Sequence, residues 1–135
     1  MNATRECSAS VKSYRDLIVW KKSVDLVELV YNITGRFPSN ERFGLMSQMQ
    51  RSAVSIPSNI AEGWGRKSTR SYIHFLSIAS GSLAELMTQV EISSRLGFCR
   101  KEEKGEIDNQ GSEISKMLFV LIQKLERNLN TKHTQ

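Results

Sequence analysis

Residues 43–66 read FGLMSQMQRSAVSIPSNIAEGWGR, and counting along them in threes and fours decides the fold. Leu45, Met49, Ala53, Ile56 and Ile60 share one face, as in an amphipathic helix packed on a core. A second line at the same spacing holds Gln48, Arg51, Ser55, Asn59 and Glu62. Solvated helix faces usually fill with Lys and Glu, whereas this one carries short hydroxyls and amides with one Arg and one Glu. Two readings fit: a plain surface of low charge, or a partly buried, hydrogen-bonded seam. The seam is the expectation. Pro57 removes one i→i−4 hydrogen bond and is expected to kink the helix, costing about 3 kcal/mol unless packing compensates.

Working outward, Asp16 is placed to cap a first helix running to about Arg36. Trp20, Val24, Val27, Tyr31 and Thr34 form one stripe on it, and Val19, Leu26, Val30, Ile33 and Phe37 a second. Together they are wider than a helix in a lone bundle needs, which argues for packing against something outside the chain. Pro38 disfavours continuation, and Ser39 or Asn40 can cap the second helix, which Gly63 and Gly65 stop. Ser68 or Thr69 caps a third helix with the stripe Tyr72, Phe75, Leu76, Ala79, Leu83, Leu86, Met87 and Val90. Its flank, Ile78, Ser82, Glu85 and Gln89, is a second largely polar line. Mid-helix Gly81 costs about 1 kcal/mol relative to Ala and calls for a close helix–helix approach. Gly97 closes this helix, and a charged connector leads to a fourth with Ile107, Ile114, Met117, Leu118, Leu121, Leu125 and Leu129 on one face. Four long helices with short connections predict an all-α, antiparallel up-down-up-down four-helix bundle over 14–129. Residues 1–13 are expected as a flexible arm and 130–135 as a flexible tail.

The 135 residues suffice for one domain. A content of 39% hydrophobic and 24% charged residues marks a globular chain. Cys7 and Cys99 sit in no metal-type pattern and read as reduced thiols. The N-terminus lacks the apolar core of a signal peptide, and no apolar run nears the roughly 20 residues that span a bilayer. The expectation is a cytoplasmic protein without a membrane partner.

Catalytic equipment is sparse. His74 and His133 are the only histidines, and there is no Ser/His/Asp set, zinc-binding motif or phosphate-binding glycine loop. Paired Glu-x-x-His motifs for a di-iron centre are missing too. No enzyme activity, metal or cofactor is expected. Within the seam, an ion pair of Arg51 with Glu85 or Glu62 is predicted, structural in role. The seam of Gln48, Arg51, Ser55, Asn59, Glu62, Ser82 and Glu85 also admits a functional reading, as the lining of a cleft or a ligand clamp.

Charge says more. The net charge is +5 and the pI about 9.4. In an up-down bundle one end gathers Lys12, Arg15, Lys21, Lys22, Arg66, Lys67, Arg70, Lys124, Arg127 and Lys132 against Asp16, Glu126 and Glu62. The other end mixes both signs. Trp64 and Tyr72 offer stacking surfaces near the basic end, so an RNA or DNA backbone suits it. A merely solubilising end is the competing reading.

YRDLIVWKKS at 14–23, F-P-x-x-E-x-x-G-L at 37–45, S-Q-x-x-R-S-A-x-S-I-P-S-N-I-A-E-G-x-G-R at 47–66 and IASGSLAEL at 78–86 resemble the four-helix-bundle proteins encoded within 23S-rRNA intervening sequences. The resemblance covers about 14–128. It implies a small, non-enzymatic cytosolic bundle that assembles as a ring-like pentamer, with a role involving RNA. Accessory proteins of diversity-generating retroelements are similar to this family, and through them the resemblance extends to a reverse-transcriptase partner. It carries over to Gln48, Arg51, Ser55, Asn59, Glu62, Gly63, Arg66, Gly81, Ser82 and Glu85. Two departures are Gln50 and Ser80, where the family pattern favours a basic residue; they weaken any direct RNA contact by those helices. A purely structural oligomer held by the seam is the remaining alternative.

Overall fold

The computed structural model describes residues 11–133, with side chains to Thr131; most of the expected arm (1–10) and positions 134–135 lie outside the described residues. Four helices follow in order, α1 (Ile18–Thr34), α2 (Leu45–Trp64), α3 (Thr69–Arg95) and α4 (Lys101–His133), with short 3-10 turns at Tyr14–Asp16 and Ser39–Glu41. Residues 130–133 of the expected tail thus carry helical backbone. There is no strand among the described residues.

The bundle is antiparallel and the packing pairs show its order. Thr34 of α1 meets Gln50 of α2 at 3.0 Å, and Ser55 of α2 meets Ser82 of α3 at 2.7 Å. Gly111 of α4 abuts Met87 and Leu83 of α3. Lys22 and Arg36 of α1 pair with Glu113 and Glu103 of α4, closing the square.

The core is the set of residues that the helical spacing selects. Leu26, Val30, Met49, Ala53, Ile56, Ile60, Leu76, Ala79, Leu86, Val90, Ile107, Ile114 and Leu118 are fully buried. The second α1 stripe is in the core, whereas the first grades outward: Trp20, Val24 and Val27 are half-buried and Tyr31 is 46% exposed. Thr34 at its end is fully buried, and Trp20 and Val27 pack against the core, so most of the extra apolar width expected for this helix is covered within the chain and Tyr31 alone of the stripe is exposed.

The ends of the helices correct several expectations. Asp16 does not cap the first α-helix. Ser13 caps the turn that precedes it, and Asp16 closes the capping box by accepting the backbone N–H groups of Lys12 (2.8 Å) and Ser13 (3.3 Å). Those bonds, joined by nearby Lys21, hold the Asp16 carboxyl below its ordinary range. Neither Ser39 nor Asn40 caps α2, because both belong to the intervening turn; α2 starts after Gly44 with no side-chain cap. Ser68 does cap α3, accepting from Ser71 N–H at 3.1 Å. Gly97 takes a φ of +80°, and Phe98 N–H reaches back to Ser93 C=O at 2.9 Å, ending α3 as a left-handed glycine does.

Pro57 lies inside α2, which runs unbroken through it, and is buried. Beside it, Ser58 and Asn59 donate to the backbone carbonyls of Val54 and Ser55, and Ile56 and Ile60 pack on the core on either side.

Gly63 is not the stop signal it resembles. It is buried inside α2, and a Cβ there would sit 2.9 Å from Phe75 Cβ and Tyr72 Cδ1. Its absence of side chain lets α2 and α3 approach at their shared turn. Gly63→Ala is accordingly expected to destabilise the fold by about 1–3 kcal/mol through overpacking, read as a lower midpoint in urea unfolding.

Candidate nucleic-acid interface

A 3-10 turn, three helices and a loop meet at the end of the bundle that holds the chain's early residues. The Ser13-capped turn presents Lys12 and Arg15, and the first turns of α1 present Lys21 and Lys22. The α2–α3 loop and first turn of α3 supply Arg66, Lys67 and Arg70, and the last turns of α4 supply Lys124 and Arg127. Leu121, Ile122 and Leu125 pack against the core and so fix the cation-bearing turns of α4 to this end. All nine cations are surface residues, eight exposed and Lys22 half-buried.

They are not equivalent. Lys22 pairs with Glu113 at 2.8 Å, and Arg66 with Glu62 at 2.7 Å while lying 4.7 Å from the Phe75 ring. Each pair cancels a charge locally. Arg15 lies over the rings of Tyr14 and Trp20, 5.5 and 5.8 Å from their centroids, and those rings meet edge-to-face. This aromatic–cation cluster went unrecognised in the sequence, where Tyr14 and Arg15 are adjacent but Trp20 lies a turn and a half away. Lys21, Lys67, Lys124 and Arg127 project without an ion pair among the described residues. Of the rings proposed for stacking, Trp64 and Tyr72 meet each other edge-on at 6.2 Å and both are half-buried.

The opposite end mixes both signs. Arg36 pairs with Glu103, Arg95 with Glu91, and Lys104 with Glu91 and Asp108. Burial acts to raise the Glu103 carboxyl, but the Arg100 N–H and Arg36 outweigh it, so its pKa lies below the ordinary value. Arg42, Arg100 and Lys101 of this end form no ion pair among the described residues, so the two ends differ in that both signs are mixed here whereas cations predominate at the other.

The polar seam divides in two. Its centre is hydrogen-bonded as expected: Ser55 bonds Ser82 across the helices, Asn59 donates to Ser55 C=O and Oγ, and Ser82 is buried. Its rim is not. Gln48, Arg51, Glu62 and Glu85 are exposed. The predicted Arg51–Glu62 or Arg51–Glu85 pair does not form; Glu62 turns to Arg66, one helical turn on, and Arg51 and Glu85 have no ion pair among the described residues. The geometric reason is that both sit on the outer side of their helices, where water competes with pairing. The expected close approach at Gly81 is missing as well, since a Cβ there would meet nothing within 4 Å.

Among the described residues no group of three or more His, Cys, Asp or Glu is placed to hold a metal ion, and no helix is long and apolar enough to cross a membrane. Cys99 is buried in the core, with its thiol pushed up by burial.

The model of the 23S rRNA-intervening sequence protein family matches residues 15–120. A crystal structure of a protein of unknown function from the S23 ribosomal protein family of Bacteroides thetaiotaomicron VPI-5482 is similar to this chain. The two are 30% identical with a TM-score of 0.72, and the alignment covers 78% of this chain and 98% of that one. No match was found among the curated proteins.

Tyr72 supplies a test of packing at the basic end. Its hydroxyl is buried without a hydrogen-bond partner, and burial raises its pKa from 10.0 to about 12. Tyr72→Phe is expected to stabilise the protein by about 1 kcal/mol at neutral pH by removing the unsatisfied group. The folded state disfavours the phenolate, so wild-type stability is intact below the ordinary tyrosine value and falls as pH rises toward about 12. The variant's advantage should widen across that window, read by urea titrations at stepped pH.

Proposed function

The chain belongs to the 23S rRNA-intervening sequence protein family, and on that premise we propose that it is a non-enzymatic, homo-oligomeric binding protein of the cytoplasm that associates with RNA through the basic end of its bundle. The observation that carries this reading is the contrast between the two ends. Lys67, Lys124 and Arg127 form no ion pair among the described residues, while at the opposite end Arg36, Arg95 and Lys104 are paired and Glu41, Glu102 and Glu106 accompany the remaining cations. Unpaired cations on one rigid surface attract a phosphate backbone, and binding releases the counterions condensed on it. Arg15 on its two rings adds a flat, charged platform of the type on which unpaired bases stack. The family's name refers to an rRNA sequence, which favours RNA over DNA as the anion.

Self-assembly belongs to the same reading. Ile18 and Tyr31 of α1 and the exposed Val54, Ile78 and Ile92 are apolar area that one chain leaves in water. Five copies is the number that the sequence resemblance implies. In a closed ring with parallel bundle axes, every basic end would face one side, and weak contacts repeated around it would act at high effective concentration.

Fluorescence anisotropy of a labelled structured RNA, at two salt concentrations, tests the association. Wild type should bind at low salt and weaken steeply as salt rises. Lys67→Glu/Lys124→Glu/Arg127→Glu, confirmed to keep the wild-type mass, should bind far more weakly. Its salt slope should fall by about three, one for each phosphate that the variant no longer neutralises. Failure of the wild-type oligomer to bind at low salt would overturn the reading.

A further inference from the structure

Gly81 has no role within its own chain. It lies mid-helix in α3 with an ordinary helical φ, where glycine weakens a helix through its backbone entropy, and a Cβ would have open space around it. Gly63 and Gly111 differ: a Cβ at either would press on Tyr72 and Phe75 or on Met87. Around Gly81 runs a stripe at i+3/i+4 spacing: Ile78, 38% exposed, then Glu85, Gln89 and Ile92, 43% exposed. Glu85 has no ion pair among the described residues, and the Gln89 side-chain oxygen is buried with no hydrogen-bond partner. On the neighbouring helix, exposed Arg51 likewise lacks an ion pair. It lines an open groove of about 390 Å³ with Tyr31 and Val54.

We infer that this outer face of α2 and α3 is where a second copy of the chain docks, with Arg51 of one copy pairing with Glu85 of another and Gly81 admitting the neighbour's helix at close range. The inference rests on the self-assembly reading above and names its surface. Three features select a second copy as the occupant. The face carries one cation and one anion, each without a counter-ion in its own chain, and each can be met by the opposite charge of a neighbouring copy. Half-exposed aliphatics flank those charges, and removing them from water supplies the non-directional part of the binding. An RNA backbone is a poor fit here, because Glu85 would repel it and Ile78 and Ile92 would gain nothing from it. The basic end lies elsewhere on the bundle and stays free. Once covered, the Arg51–Glu85 pair is desolvated, so removing one partner strands the other and weakens assembly by far more than a surface pair would.

Sedimentation velocity at micromolar concentration tests this with the full chain. Wild type should sediment well above the 15.3 kDa monomer. Arg51→Glu and Glu85→Arg should each shift to monomer, with apparent dissociation constants at least tenfold weaker. An equimolar mixture of the two should form assemblies well above monomer mass, because each supplies the charge the other lacks and an odd-membered ring leaves only one junction mismatched; pairing within one chain cannot produce that rescue. Gly81→Leu should also dissociate the assembly while its helical circular dichroism matches wild type, since the side chain has room in the monomer. An assembled wild type with all three variants at wild-type mass would overturn the named surface and leave self-assembly standing. Dissociation of the single variants without rescue on mixing would overturn the Arg51–Glu85 pairing. A monomeric wild type would overturn both the surface and the self-assembly reading.

Discussion

The close contact between α2 and α3 is the constraint on which the rest of the bundle depends. Gly63 lies against Tyr72 and Phe75 at the turn, and Ser55 reaches Ser82 further along the same helix pair. Small residues at these points bring two helix backbones together, and short hydroxyls satisfy one another where longer polar groups would have to be stripped of water. With that pair fixed, α1 docks on α2 through Gln50 and Thr34, and α4 docks on α3 through Gly111. The apolar faces of all four then converge on one core.

That geometry also sorts the charge. Antiparallel packing brings the Ser13-capped turn, the α2–α3 loop and the last turns of α4 to one end, although they are far apart in the chain. At the other end, the start of α4 offers Glu103 to Arg36 and to the preceding Arg100 N–H, so carboxylates stand among the cations there. The electrical polarity of the molecule follows from which helix termini share an end. The basic end and the exposed aliphatics Val54, Ile78 and Ile92 lie on different parts of the bundle.

Much of this was legible in residue order because it rests on periodicity. The buried faces of α2 and α3, including Met49, Ile56, Leu83 and Val90, follow directly from spacing of three and four. So do the cap at Ser68 and the left-handed stop at Gly97, which are local chemistry. Where spacing alone was asked to choose partners, it chose badly. Arg51, Glu62 and Glu85 share a seam by count, but the pair that forms is Glu62 with Arg66, because a neighbour one turn away is always within reach while a cross-helix partner must also point the right way. Gly63 and Gly81 look alike in the sequence, yet one is pressed against two aromatic residues and the other faces open space.

The sequence by itself determined the helices, their core-facing stripes and the excess of positive charge, since these are set by residue types and by residues within a few positions of one another. Only the tertiary structure decided which cations remain unpaired, which half of the polar seam is buried, and which glycine serves a contact within the chain. Those properties depend on distances between side chains on different helices, and helix rotation and register settle such distances only when all four apolar faces are packed together.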